Sequence, residues 1–292
     1  TTAEGAVTTA DAAVAADIYA RIEQRFEKGD LALFKKGTSE AETYTLAFWV
    51  KSTVTGTNVV ELQDQVNTRH CCATYTISTT NTWEHKVLNF PKDTSGPLGA
   101  GNGLGLNVNF ALQAGSNYTS GSLATTWASM TDANRAVGQV NNFSSTSNTF
   151  HITGIQLEVG TYSASTLPSF QHETYGNNLE RCARYYWYTG GGSVWQFHGT
   201  GNEASSTAAY VNVPLITPFR SAPSVNLESS LVIWDGDGES PITGLGNVYY
   251  SSHGGLLNIA CTASGGGIAN TAGVTVYSSN DASSGFKISA EL

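Results

Sequence analysis

Three groupings of side chains in this sequence have the types that perform chemistry or recognition. The first is acidic: Glu61 with Asp64, and Asp235-Gly236-Asp237-Gly238-Glu239. Two carboxylates serve glycoside hydrolysis only when a fold holds them a fixed distance apart across the scissile bond, and neither spacing prescribes that. The second acidic run resembles the start of a calcium loop but lacks the later ligand positions and the closing glutamate. Its Asp-Gly steps read as a hairpin turn.

The second grouping is His70-Cys71-Cys72. Neighbouring side chains in a strand point to opposite faces, so this run is not expected to converge on a metal. The remaining cysteines are Cys182 and Cys261, with no CxxC and no zinc spacing. An adjacent Cys71–Cys72 bridge would be strained. Four free or buried thiols are expected, with a Cys182–Cys261 bridge as the alternative. No GxSxG elbow, P-loop, HExxH or dinucleotide fingerprint is present. The expectation is a protein that is not an enzyme, with no catalytic residue, no metal and no cofactor.

The third grouping is aromatic. Flat rings flanked by amides and hydroxyls suit sugars: the ring covers the apolar face of a pyranose while the polar groups read its hydroxyls. Three sets fit. Trp195, Gln196 and His198 follow Gly190 to Gly192; Tyr118 and Trp127 sit in a long polar excursion; Asn107, Asn109 and His151 lie in strand-like runs. Each aromatic has the competing reading of a core or anchoring residue.

The elements that must position these residues are strands. The charged fraction is 13%, against about a quarter in ordinary globular domains. The surface is therefore built from Ser, Thr, Asn, Gln and Gly, while 40% hydrophobic residues suffice for a core. The 31 glycines and single methionine fit a turn-rich β protein. A net charge of −9 gives no basic footprint for nucleic acid. No apolar run reaches the ~20 residues of a membrane span. The chain begins at Thr1 rather than Met, so a fragment or processed piece is expected.

Residues 1–36 form a lead-in, with extended structure from about Ala20. TYTLAFWVKS, NVVELQD, TRHCCATYTIS, TWEHKVLNFP and LGLNVNFALQAG follow as strands separated by turn signals. In the last, Leu104, Leu106, Val108 and Phe110 point inward and Asn107 and Asn109 outward. Residues 115–149 form an excursion of a length that is usually functional or disordered, with Tyr118 and Trp127 as its anchors or its ligand contacts. FHITGIQLEVG is a strand whose apolar set slips by one residue after Gly154, the mark of a bulge. A connector with Pro168 leads to a short helix-compatible piece, Asn177 to Ala183, and then to further strands ending in FKISAEL, where Phe286, Ile288, Ala290 and Leu292 alternate. The expected fold is all-β: a jelly-roll β-sandwich over 37–165, a connector over 166–184, and a second, smaller β-sandwich domain over 185–292.

The runs RIEQRFEKGDL, TYTLAFWVKS, TWEHKVLNFPKDTSG, GSNYTSGSLATTWAS, NRAVGQVNNF and ITGIQLEVGTYSASTLPSFQHETYGNNLERCARYYW resemble a family of bacteriophage tail-fibre and related virion proteins whose first domain is similar to a carbohydrate-binding jelly roll. Thr153 to Gly160 match its strand, Pro168 and Phe170 its Pro-Phe step, with Ser169 intervening, and Leu179 to Tyr186 its L-x-x-C-x-R-Y-Y segment. Pro218, Arg220, Ala222 and Pro223 match a step in the variable C-terminal β-domain. The resemblance implies an extracellular virion location in a phage tail or fibre, a homotrimer, other virion proteins as partners, and attachment to a host-surface glycan, with no nucleic-acid partner and no membrane insertion. On this reading Leu179, Cys182, Tyr185 and Tyr186 pack at the joint between domains. Two alternatives remain: a purely structural head-fibre, decoration or adaptor protein, and a carbohydrate-binding module whose catalytic part lies upstream.

Overall fold

The computed structural model describes residues 3–251, 255–264 and 273–291. It is all-β and divides into two units, Thr1–Gln171 and His172–Leu292.

The first unit contains β1 (Ala3–Ala6), β2 (Tyr19–Glu27), β3 (Tyr44–Ser52), β4 (Gly56–Asp64), β5 (Arg69–Ile77), β6 (Glu84–Phe90), β7 (Leu104–Ala114), the four-residue helix α1 (Ser116–Thr119), β8 (Ala128–Ser129) and β9 (Thr149–Val159). Two antiparallel sheets form, β1-β9-β3-β6 and β2-β7-β4-β5-β8. The alternation in each strand explains the pairing. Leu46, Phe48 and Val50 from one sheet meet Val60, Leu62, Leu106, Val108 and Phe110 from the other in one buried cluster. Phe48 sits at its centre, edge-on to Tyr75 at 5.1 Å and to Phe110 at 5.0 Å. The expected bulge is present: β9 shifts register against β3 between Ala47 and Trp49. Gly154 adopts φ +58°, and a Cβ there would lie 3.3 Å from the Trp49 ring.

The excursion over 115–149 is ordered by backbone pairing onto the outer face of the five-stranded sheet. The Cys72 N–H donates to the Ala124 carbonyl at 2.6 Å, and the Asn142 N–H to the Leu112 carbonyl at 3.0 Å. Ala136 is buried there against Val59, Cys72 and Ala111.

The second unit opens with helix α2 (Tyr175–Ala183), whose first turn is capped by the Thr174 side chain accepting the Asn177 N–H. Then come β10 (Tyr186–Tyr188), β11 (Phe197–Ser205), β12 (Ala208–Pro214), β13 (Ser224–Glu228), β14 (Leu231–Trp234), β15 (Glu239–Tyr250), β16 (Leu256–Ala263), β17 (Val274–Ser278) and β18 (Gly285–Ser289). Six strands close into a barrel in the order β11-β12-β16-β15-β14-β17, and β10-β18-β13 form a separate three-stranded sheet. Closure leaves these strands without a free sheet edge. Val211, Val213, Ile233, Ile259, Cys261 and Val276 share one core cluster with Phe286 and Ile288. Leu292, expected at the end of the last alternation, lies outside the described residues.

Three local expectations are corrected or refined. Cys182 is exposed and Cys261 buried, and both are free, as are Cys71 and Cys72, so the alternative of a Cys182–Cys261 bridge falls. Tyr186 opens β10 and pairs with Ser289, and just ahead of it the Ala290 N–H donates to the Tyr185 carbonyl at 2.7 Å. The run from Asp235 to Glu239 is the β14–β15 turn, in which Asp235 Oδ1 accepts the N–H groups of Asp237 and Gly238, each at 3.0 Å.

Candidate functional site

The second unit contains a cavity of about 310 Å³ at one end of the barrel. Its apolar walls are Trp187 from β10, Phe197 from β11, and the run Val213, Pro214, Leu215 and Ile216 that ends β12 and continues past it. Thr189, Gln196 and His198 supply its polar groups. Two of the three residues in the Trp195 set therefore line one cavity.

His198 is the most constrained of them, at 2% exposure. Its Nδ1 lies 2.7 Å from the Thr189 hydroxyl, and that hydroxyl also accepts the Phe286 N–H at 2.9 Å. With one acceptor site filled by Phe286, the hydroxyl proton is free to point at Nδ1. That arrangement favours the tautomer carrying hydrogen on Nε2. Burial lowers the His198 pKa to about 4, so the ring is neutral at pH 7. Nε2 is buried and has no hydrogen-bond partner in the protein. A buried donor without a partner costs about 1–3 kcal/mol.

Gln196 has a different role from the one its residue type suggests. Its Oε1 accepts the Gly192 N–H at 3.0 Å and its Nε2 donates to the Thr189 carbonyl at 2.8 Å. The amide braces the loop that carries Thr189. Trp195 is outside the cavity lining. It is 59% exposed, tilted against Tyr277 at 5.5 Å between centroids, and adopts φ +63°. A bulky residue in this left-handed region is strained by about 1–3 kcal/mol, and such positions cluster at functional sites. The Trp195 N–H donates to the Ser278 carbonyl, which holds the strained backbone in place.

The other two sets do not assemble a site. Tyr118 stacks on Tyr19 at 4.9 Å, and Trp127 donates its indole N–H to the Pro91 carbonyl at 2.8 Å while packing against Tyr44 at 5.9 Å. Both anchor the excursion onto the sandwich. Asn107 and Asn109 do point away from the core, but both are fully buried. Asn107 donates to Glu23 at 3.3 Å, and Asn109 donates to Glu61 and Gln63, each at 3.0 Å. They are not available as surface sugar contacts, because the excursion covers their face. His151 is on the other sheet, paired with Lys51 in β3 and edge-on to Trp83 at 6.2 Å.

The covered face holds a network that spacing did not reveal. The Arg135 guanidinium grips Glu61 in two hydrogen bonds of 2.9 and 2.8 Å. His70 Nδ1 lies 2.9 Å from the same carboxylate. These contacts hold the Glu61 pKa below its usual value against the opposing effect of burial, the largest single influence. The expectation that His70, Cys71 and Cys72 diverge is correct for Cys71, which faces the core. His70 and Cys72, two residues apart, share the outer face with Glu61, and their ligand-type atoms lie within 4.8 Å of one another. The guanidinium already neutralises this carboxylate, and burial raises the Cys72 thiol far above its usual range. The arrangement is a charge-satisfied structural cluster, poorly suited to a divalent cation.

No family model matches the sequence, and no curated protein matches it. Among solved structures, a chain from the cryo-EM structure of the T=1 Penaeus vannamei nodavirus is similar at 12% identity over 99% of this chain and 96% of that chain, with a TM-score of 0.19. A score of this size carries no argument about fold or function.

Proposed function

We propose that the chain is a non-enzymatic attachment component of a phage fibre, which holds a host-surface glycan in the cavity of its second unit. The observation that supports this reading most is the pairing of apolar and aromatic walls with polar side chains from Thr189, Gln196 and His198 in one cavity. Such a site accepts an apolar ring face and one directed hydroxyl. The described lining residues supply an apolar wall, an amide, a hydroxyl and an imidazole, groups that suit binding of a sugar ring.

A site with one directed hydrogen bond and a shallow apolar wall binds weakly. Multiplied on the three chains of a trimeric fibre, weak sites add through effective concentration, which is why a homotrimer belongs to the proposal. The test is binding of the purified chain to host cells and to a glycan array, displayed both as a monomer and on a multivalent scaffold. Binding that rises with valency and is lost in Phe197→Ala supports the proposal. Absence of binding at every valency sinks it and favours a purely structural virion protein.

A further inference from the structure

The outer face of β12 continues from the cavity. Pro214 lines the cavity, and Asn212 and Tyr210 follow it at alternate, outward positions while Val213, Val211 and Ala209 point into the barrel. Strand register then adds neighbours. Asn212 pairs with Asn258, which pairs with Tyr249; Tyr210 pairs with Ala260. Tyr210 and Tyr249 are 44% and 52% exposed, with ring centroids 6.4 Å apart and planes at 60°. Between them the floor is small: a Cβ on Gly246 would lie 3.3 Å from the Ala260 methyl. Amides line the trough. Asn258 Nδ2 donates to Asn212 Oδ1 at 2.9 Å, and Asn247 Nδ2 to the Tyr249 hydroxyl at 3.2 Å.

Resting on the proposed cavity, we infer that this trough is a second subsite on one track, so that the ligand is a neutral, linear oligosaccharide spanning several sugar rings. Two splayed tyrosines offer ring faces, and the asparagines leave further lone pairs and hydrogens for hydroxyls. Among the described residues, the positions that form the trough, Tyr210, Asn212, Asn247, Tyr249, Asn258 and Ala260, carry no ionised group, which suits a neutral glycan and gives a charged one no partner there. Tyr210 and Pro214 are four residue steps apart, about 13 Å along an extended strand, longer than one sugar ring. A chain lying along β12 would engage both ends, whereas a terminal monosaccharide would engage only the cavity.

Chain-length dependence tests this. Neutral glucose-, galactose- and N-acetylglucosamine-based probes, each as monosaccharide, disaccharide and hexasaccharide, are titrated calorimetrically into the full chain and into Tyr210→Ala, Tyr249→Ala and Phe197→Ala. The expected result is a hexasaccharide bound at least ~10-fold more tightly than its monosaccharide. Either tyrosine variant removes that gain while leaving monosaccharide affinity unchanged, and Phe197→Ala weakens every length. Equal affinity for monosaccharide and hexasaccharide overturns the track and leaves the cavity standing. A length gain that survives both tyrosine variants also overturns it. No binding by any probe overturns track and cavity together. Asn212→Ala, at an exposed position, repeats the test should a tyrosine variant lose its fold.

Discussion

The outer face of the five-stranded sheet in the first unit and the outer face of the barrel in the second carry the same kinds of side chain and end in opposite states. Both present asparagines at alternate strand positions beside tyrosines. In the first unit Asn107, Asn109, His70 and Glu61 are fully buried, because the excursion over 115–149 folds across them. In the second unit Tyr210, Asn212 and Tyr249 remain exposed. Polar outward residues therefore become a structural network when a segment covers them, and stay open to solvent when none does. The covering segment brings Arg135, whose guanidinium neutralises the buried Glu61. Without it a lone buried carboxylate would shift its protonation instead.

This contrast predicts where substitutions should register. The largest effect belongs to Glu61→Ala. Removing one partner of a buried charge pair costs about 3–5 kcal/mol, so denaturant unfolding of the first unit should move to markedly lower midpoint while glycan binding by the folded chain is retained. Loss of binding without loss of stability would erase the distinction between the two faces. Next is Phe197→Ala, at a half-exposed cavity wall. Binding should weaken about 30-fold, the equivalent of ~2 kcal/mol, with unfolding of the second unit little changed.

The pH response sharpens the comparison further. His198 binds its proton less readily when folded than when unfolded. The stability it contributes is complete above the ordinary histidine pKa of about 6.5 and is lost as pH falls from there toward about 4. The second unit should therefore lose several degrees of melting temperature across that interval, and His198→Gln should flatten the loss. A profile that is unchanged by the substitution would remove His198 from the account. The smallest effect is Trp195→Ala. With its ring mostly in solvent, the melting temperature should stay within a degree or two, and binding should drop only as far as Trp195 extends the cavity rim. A large fall in melting temperature would make it a core residue.

Much of this was legible in the sequence and some was not, for definite reasons. The alternation of LGLNVNFAL assigns Leu106, Val108 and Phe110 to the core and Asn107 and Asn109 to the opposite face, because strand period alone decides that. The slip after Gly154 announces the bulge beside Trp49. Period says nothing about what lies over a face, and so the burial of Asn109 was invisible. The partner of Glu61 was equally hidden, since Arg135 is 74 residues away on a segment without strand or helix pattern. At the cavity, Gln196 and His198 carry a recognisable type beside a Gly-rich turn. Their walls at Val213 to Ile216 do not, because strand closure rather than sequence proximity brings them there.

The central claim is that recognition lives in the second unit and not on the asparagine face of the first. The most direct measurement compares host-cell binding of multivalently displayed full chain for the unaltered protein, Phe197→Ala and Asn109→Ala, each verified as folded. The account predicts binding by the unaltered protein and by Asn109→Ala, and loss in Phe197→Ala. Retention in Phe197→Ala together with loss in folded Asn109→Ala would contradict it.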